Sequence, residues 1–282
     1  MYVEGAEPVS YDAVVNPLNA IASWPVDNAA AAVITRDGQT TMGDLDKVFE
    51  LASVTKLLVA YGALLAVEEG VIELDQPAGP EGSTVRHLLA HASGLGFADR
   101  TVEALPGERR IYSSAGFEVL AELISAESGI VFADYLAEAV FEPLGMASTT
   151  LWGVAGHEAR SSVADLSRFA LELLNPVLAH PLTVADATTV QFPGLDGILP
   201  GYGRQRPNDW GLGFEIRGEK SPHWTSAENS PRTFGHFGQA GTFLWVDPDL
   251  GIGTVVLTDR PFGAWAKPLW ASLSDDVVGQ SR

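Results

Sequence analysis

The sequence predicts an α/β plus all-α fold, in which an α/β lobe is interrupted by an inserted helical lobe. Strand-like runs occur near both ends of the 282 residues, helical periodicity dominates between them, and no repeat or low-complexity linker divides the chain. On this reading residues 1–75 and 205–282 form the discontinuous α/β lobe and residues 76–204 the helical lobe. A hydrophobic content of 46% supplies enough apolar surface for one large core or for two lobes sharing one.

Residues 29–36, AAAAVITR, followed by Asp37-Gly38, read as a short buried strand entering a tight turn. From Ser53 onward Leu57, Leu58, Tyr61, Leu64 and Leu65 recur at helical spacing, and Gly70 supplies the stop. That helix is apolar nearly all round, which predicts a central position. Residues 84–95, 113–129, 131–146 and 161–176 read as further helices with their loops. In the last of them Ser161 or Ser162 is the expected N-cap, Asp165 lies in the first turn and Asn175-Pro176 ends the helix. Residues 192–209 are the most loop-like stretch. Past residue 205 the helical period disappears, and residues 210–218, 241–249 and 251–260 read as strands, the last two joined by a hairpin around Pro248-Asp249.

Composition narrows the function. Thirty-six acidic residues against 17 basic ones give a net charge of −19, which repels nucleic acid and anionic membrane surfaces. The absence of cysteine excludes disulfides and thiolate metal clusters. No stretch reaches the roughly 20 apolar residues of a membrane span. The N-terminal residues show neither the basic nor the apolar region of a secretory signal, so the expected location is cytoplasmic. No cofactor or metal is expected: His87 and His91 have i, i+4 spacing but lack the third ligand and glutamate of a zinc motif. The sequence does not disclose an oligomeric state.

The run FELASVTKLL (residues 49–58) holds Lys56, one of only four lysines, among apolar residues and three positions after Ser53. Residues i and i+3 share a helix face, so Ser53 Oγ and Lys56 Nζ are expected to meet at the first turn. Burial lowers a lysine's pKa, and a neutral lysine can take a serine's proton and make it a nucleophile. If Ser53 opens the helix, its backbone N–H also points at an incoming carbonyl as half of an oxyanion hole.

Two further segments accompany this one. RRIYSSAGFEVL places Tyr112 just before a helix, and FGHFGQAGTFLWVDP places His236-Phe237-Gly238 at the start of a strand. With FELASVTK, LLAHASGL, FEPLGM and WGLGFEI, the chain resembles, from about residue 49 to about 260, the penicillin-binding-protein-like serine hydrolases: class C β-lactamases, D-alanyl-D-alanine carboxypeptidases and β-lactamase-like esterases.

The resemblance implies a β-lactamase/transpeptidase-like fold, with an antiparallel sheet flanked by helices. It implies Ser53 as the acylated nucleophile, with Lys56 and Tyr112 sharing the proton traffic, Tyr112 as phenolate or through Lys56. It places Ser114, His236, Phe237, Gly238 and Gln239 at the substrate, the Gln239 N–H as second oxyanion donor. Three positions depart from the family pattern: Ser114 stands for asparagine, His236 for lysine and Phe237 for a hydroxyl residue. A histidine neutral at pH 7 clamps a carboxylate poorly, and a serine recognises an acylamino side chain less well than an amide does. The expected substrate is therefore a small ester or related activated acyl compound. A β-lactamase or carboxypeptidase is the first alternative, and a catalytically silent binding protein of the same fold is the second. Phe237 and Trp210 are the aromatics expected to face the cleft.

Overall fold

The computed structural model describes residues 16–282. Expectations drawn from residues 1–15 lie outside the described residues.

A 3₁₀ turn (Pro17–Ser23), capped by the Asn16 side chain, leads into β1 (Ala29–Thr35) and β2 (Gly38–Met42). Short β3 (Phe49–Glu50) precedes the central helix α1 (Thr55–Glu68). The middle of the chain supplies α2 (Val85–Leu89), α3 (Ser114–Ser128), α4 (Phe132–Leu136), β4 (Thr150–Leu151), β5 (Ala159–Ser161), α5 (Val163–Leu174) and α6 (Pro181–Ala187). The hairpin β6 (Gly197–Leu199) and β7 (Gly203–Gln205) follows, then β8 (Glu215–Ile216), β9 (Phe234–Gly238), β10 (Thr242–Asp247), β11 (Ile252–Thr258) and the final helix α7 (Ala266–Ser281).

Six strands form one antiparallel sheet in the order β2-β1-β11-β10-β9-β8. The two ends of the chain meet at its centre, where β1 pairs with β11 from Ala29 opposite Thr258 to Ile34 opposite Gly253. Both faces are covered, which explains why these strands read as continuous apolar runs. Leu244, Val246, Val255 and Leu257 face the core containing α1 and α5, while Phe243, Trp245 and Val256 face a second core with α7 and the first 3₁₀ turn. Helix α1 is buried from Thr55 to Ala66, so it is central as its composition requires.

Several expected elements are shorter than their pattern. The helix expected over 84–95 stops at Leu89, because His91 adopts a left-handed conformation (φ 54°). The one expected over 131–146 leaves α geometry after Leu136 for a π turn (Ala137–Phe141). Over 210–218 only Glu215–Ile216 pairs as strand. The 192–209 loop contains the β6–β7 hairpin. Helix α7 is a correction to the all-strand reading of the C-terminal part: Trp270, Leu273, Val277 and Val278 keep helical spacing, and Pro268 sits in the first turn, where its missing N–H costs no hydrogen bond. Among the described residues no helix is long and apolar enough to cross a membrane.

Candidate active site

Ser53 is half-buried in a 3₁₀ turn (Ala52–Val54) that runs directly into α1. Ala52 before it has φ 46°, a strained conformation for a residue with a Cβ. The surroundings hold that strain in place. Leu51 N–H donates to Ala159 O (3.0 Å), Thr242 Oγ1 donates to Leu51 O (2.8 Å), and Ala159 N–H donates to Thr55 Oγ1 (3.1 Å). Gly238, at the end of β9, lies so close that a Cβ there would fall 2.2 Å from Leu51 O. Within the chain, the close approach Gly238 permits is to the turn bearing Ser53.

Lys56 is fully buried one turn further on. Its Nζ donates to Ser114 Oγ (3.0 Å) and Gly156 O (2.7 Å), and it lies 4.6 Å from the centre of the Tyr112 ring. These partners, rather than Ser53, hold the amine. Burial lowers the Lys56 pKa to about 7, against a smaller opposing effect of Glu118. A neutral amine has two N–H donors and one lone pair, so the two bonds use both donors and leave the lone pair free. Ser114, expected at the substrate, is instead 4% exposed and spends its hydroxyl on Lys56.

The Tyr112 hydroxyl is buried without a partner in hydrogen-bond geometry. Burial raises its pKa above the usual phenol value and Glu215 adds to this, while the neighbouring Ser53 hydroxyl acts in the opposite direction. Tyr112 is accordingly a phenol and not the phenolate considered from the sequence, because Lys56 loses its proton first.

His236 projects from β9 towards Tyr112 and Trp210, at ring-centre distances of 5.5 and 5.4 Å. Its Nδ1 lies 2.7 Å from Phe237 O, so Nδ1 carries the proton and Nε2 presents a lone pair. Burial first and Lys56 second hold its pKa down at about 3, so it is neutral. Phe237, the next residue, points to the opposite face of the sheet. It packs against Tyr202, Trp224, Phe262 and Trp270 in the second core, so period-two alternation removes it from the site where it was expected. Gln239 is exposed, and its carbonyl accepts from Phe262 N–H at 2.8 Å. Strand β8 pairs only with Phe234 and Gly235, so the pairing stops before His236–Gly238.

Sequence reasoning passed over three contributors. His91 Nδ1 accepts from Ser113 N–H (3.1 Å), and its ring packs 4.7 Å from Tyr112 and 4.5 Å from Trp210. Its i, i+4 spacing with His87 drew attention to metals instead. Gly156 fixes Lys56 through a carbonyl, which no residue-type pattern can announce. Glu215 is buried behind Trp210 and accepts from Lys220 Nζ (2.6 Å), His223 Nε2 (2.9 Å) and Trp224 Nε1. Those donors hold its carboxyl well below the usual carboxylate range in spite of burial.

The antiparallel sheet flanked by helices, with the Ser53 turn set between α1 and β9, is the β-lactamase/transpeptidase-like fold. The family model described as Beta-lactamase matches residues 26–277, and the chain belongs to this family of serine hydrolases. A solved β-lactamase from Mycobacterium bovis is 60% identical, with a TM-score of 0.93, covering 94% of this chain and 99% of the other. Esterase EstB from Burkholderia gladioli is 26% identical over 83% of each chain. Penicillin-binding protein 4* from Bacillus subtilis is 31% identical over 38% of this chain, and the match spans 31% of that protein's length.

Proposed function

We propose that the protein hydrolyses small carboxylic esters or related activated acyl compounds through an acyl-enzyme on Ser53. The observation that carries this reading is Lys56: a fully buried amine with its lone pair left over, one helical turn from a half-buried serine.

Lys56 takes the Ser53 proton as Oγ attacks the carbonyl carbon. The N–H groups of Ser53 and Gln239 stabilise the oxyanion. Tyr112 hands its proton to the departing alcohol and regains one from the Lys56 ammonium. Water then repeats the sequence on the acyl-enzyme and releases the acid, so no proton is gained or lost by the protein over the cycle. The partner implied is a small acyl substrate, not a macromolecule. A neutral His236 offers no charge to clamp a carboxylate beside the nucleophile, which favours esters over β-lactams. The likeness to the Mycobacterium bovis β-lactamase favours β-lactam hydrolysis as the second reading.

The test is turnover of p-nitrophenyl butyrate and nitrocefin, with intact mass after a fluorophosphonate probe, for wild type and Ser53→Ala. Ester turnover and a mass adduct that both vanish in the variant are expected. A preference for nitrocefin would move the reading to β-lactams. Neither turnover nor adduct in wild type would leave a binding protein of the same fold.

A further inference from the structure

A cleft of about 480 Å³ opens past Tyr112, between the segment containing Arg109–Tyr112 and the β6–β7 hairpin. Its walls include Phe97 and Ile198, which are 57% and 66% exposed, and Phe97 stacks on Tyr112 with ring centres 5.8 Å apart. Apolar side chains left uncovered beside Tyr112 suit a substrate body of aryl or alkyl character.

The charges of the cleft run against those of the chain. In a protein of net charge −19, Arg109 and Arg204 stand at its rim, Arg110 lies in its wall, and Arg206 shares the Asp196 carboxylate with Arg204. Arg110 is only 2% exposed and donates to the carbonyls of Ala90, Gln191, Phe192 and Asn208. Those carbonyls satisfy its donors without neutralising its charge. Burial lowers its pKa to about 10, with Asp209 acting in the opposite direction. Glu103, 3.7 Å from Arg109, and Asp196 are the cleft's own carboxylates. Three arginines thus line the cleft against two carboxylates, and low-dielectric walls focus that excess into the cleft.

Arg204 is the residue free to turn to a ligand. Asp196 Oδ2 accepts from Arg204 at 3.1 Å and is ion-paired with Arg206 Nε at 3.1 Å, so releasing Arg204 leaves Asp196 still paired. Arg204 is also 60% exposed at its side chain, so the turn costs little desolvation.

We propose that this cleft binds the alcohol portion of the substrate, and that this portion carries a carboxylate, received by Arg204, on an apolar body lying between Phe97 and Ile198. The proposal rests on the esterase reading above. The alcohol is assigned to the cleft because Tyr112, which gives its proton to the leaving oxygen, forms part of the cleft wall.

The experiment compares kcat/KM for 4-acetoxyphenylacetate and for the neutral 4-acetoxyphenylacetamide, in wild type and Arg204→Gln. Wild type is expected to favour the carboxylate by about tenfold or more, the worth of one charge-assisted hydrogen bond. The preference should shrink with added salt. Arg204→Gln should bring the ratio close to one. Hydrolysis of both esters by wild type at equal rates, or faster for the amide-bearing one, overturns the proposal. So does a carboxylate preference seen only on the acyl side, with mono-p-nitrophenyl adipate against p-nitrophenyl hexanoate. Failure to hydrolyse any of the four overturns the esterase reading itself, and this proposal with it.

Discussion

Lys56 Nζ donates to Ser114 Oγ at 3.0 Å, across the junction between the heads of α1 and α3. The bond ties the candidate base to the helix that follows Tyr112, so the two proton-carrying side chains are set by one local contact. It also decides how the site responds to pH.

Activity should fall as pH drops through about 7. Lys56 is held below its ordinary value by burial, its base form predominates only above about 7, and each pH unit below that removes about tenfold of it. The pH dependence of kcat/KM for p-nitrophenyl butyrate measures this; an acidic limb near 10 would show that burial does not lower Lys56, and one that persists unchanged in Lys56→Met would show that Lys56 is not the base.

Ser114→Asp should move that limb upward by about one unit or more, because a carboxylate at hydrogen-bond distance stabilises the ammonium form. Activity at pH 7 drops while activity at pH 9 recovers part of the loss. A limb that stays where wild type has it would uncouple Ser114 from Lys56.

Tyr112→Phe keeps the ring packing on His91 and Trp210 and removes only the hydroxyl. It should lower kcat by about 10²- to 10⁴-fold with little change in Tm. Because burial raises the Tyr112 pKa, wild type should show no alkaline limb from this residue below pH 10.

Gly238→Ala should cost about 10²-fold or more in kcat, since its Cβ would meet Leu51 O at 2.2 Å and the Ser53 turn must shift. Gly279→Ala, which meets nothing within 4 Å, is the matched control and should leave kcat unchanged.

Glu215→Gln leaves the Lys220 charge buried beneath Trp210 without its counter-charge. The expected cost is about 3–5 kcal/mol, or about 6–20 °C in Tm. Glu215 has its carboxyl held below the usual range, so its stabilisation is complete above the ordinary carboxylate pKa and is lost only as pH falls into the strongly acidic region. Thermal melts of both proteins from pH 3 to 8 should therefore differ by a constant amount above about pH 5 and only begin to draw together at the acid end.

Much of this was legible in the chain because it is local. Strands β1, β10 and β11 are buried on both faces and announce themselves as apolar runs. The α3 and α5 boundaries follow from the caps Ser113 and Ser162, and α1 follows from its apolar spacing. Ser53 and Lys56 stood out because a lysine among leucines, three residues after a serine, is costly unless it is used, whereas Tyr112 was implied only by the resemblance to the family.

The fold class and the family were readable from the chain because they rest on short-range pattern and residue type, and the same patterns made Ser53, Lys56 and Tyr112 candidates. The tertiary structure decided what those residues touch. It turned Ser114 towards Lys56 and Phe237 away from the site, set Gly238 against the Ser53 turn, and brought in Gly156, His91 and Glu215 from segments with no shared motif. It also fixed the protonation order: Lys56 yields its proton before Tyr112, because both are buried and burial disfavours the ammonium and the phenolate alike. Burial and long-range contact are properties of the packed chain, and no local pattern encodes them residue by residue.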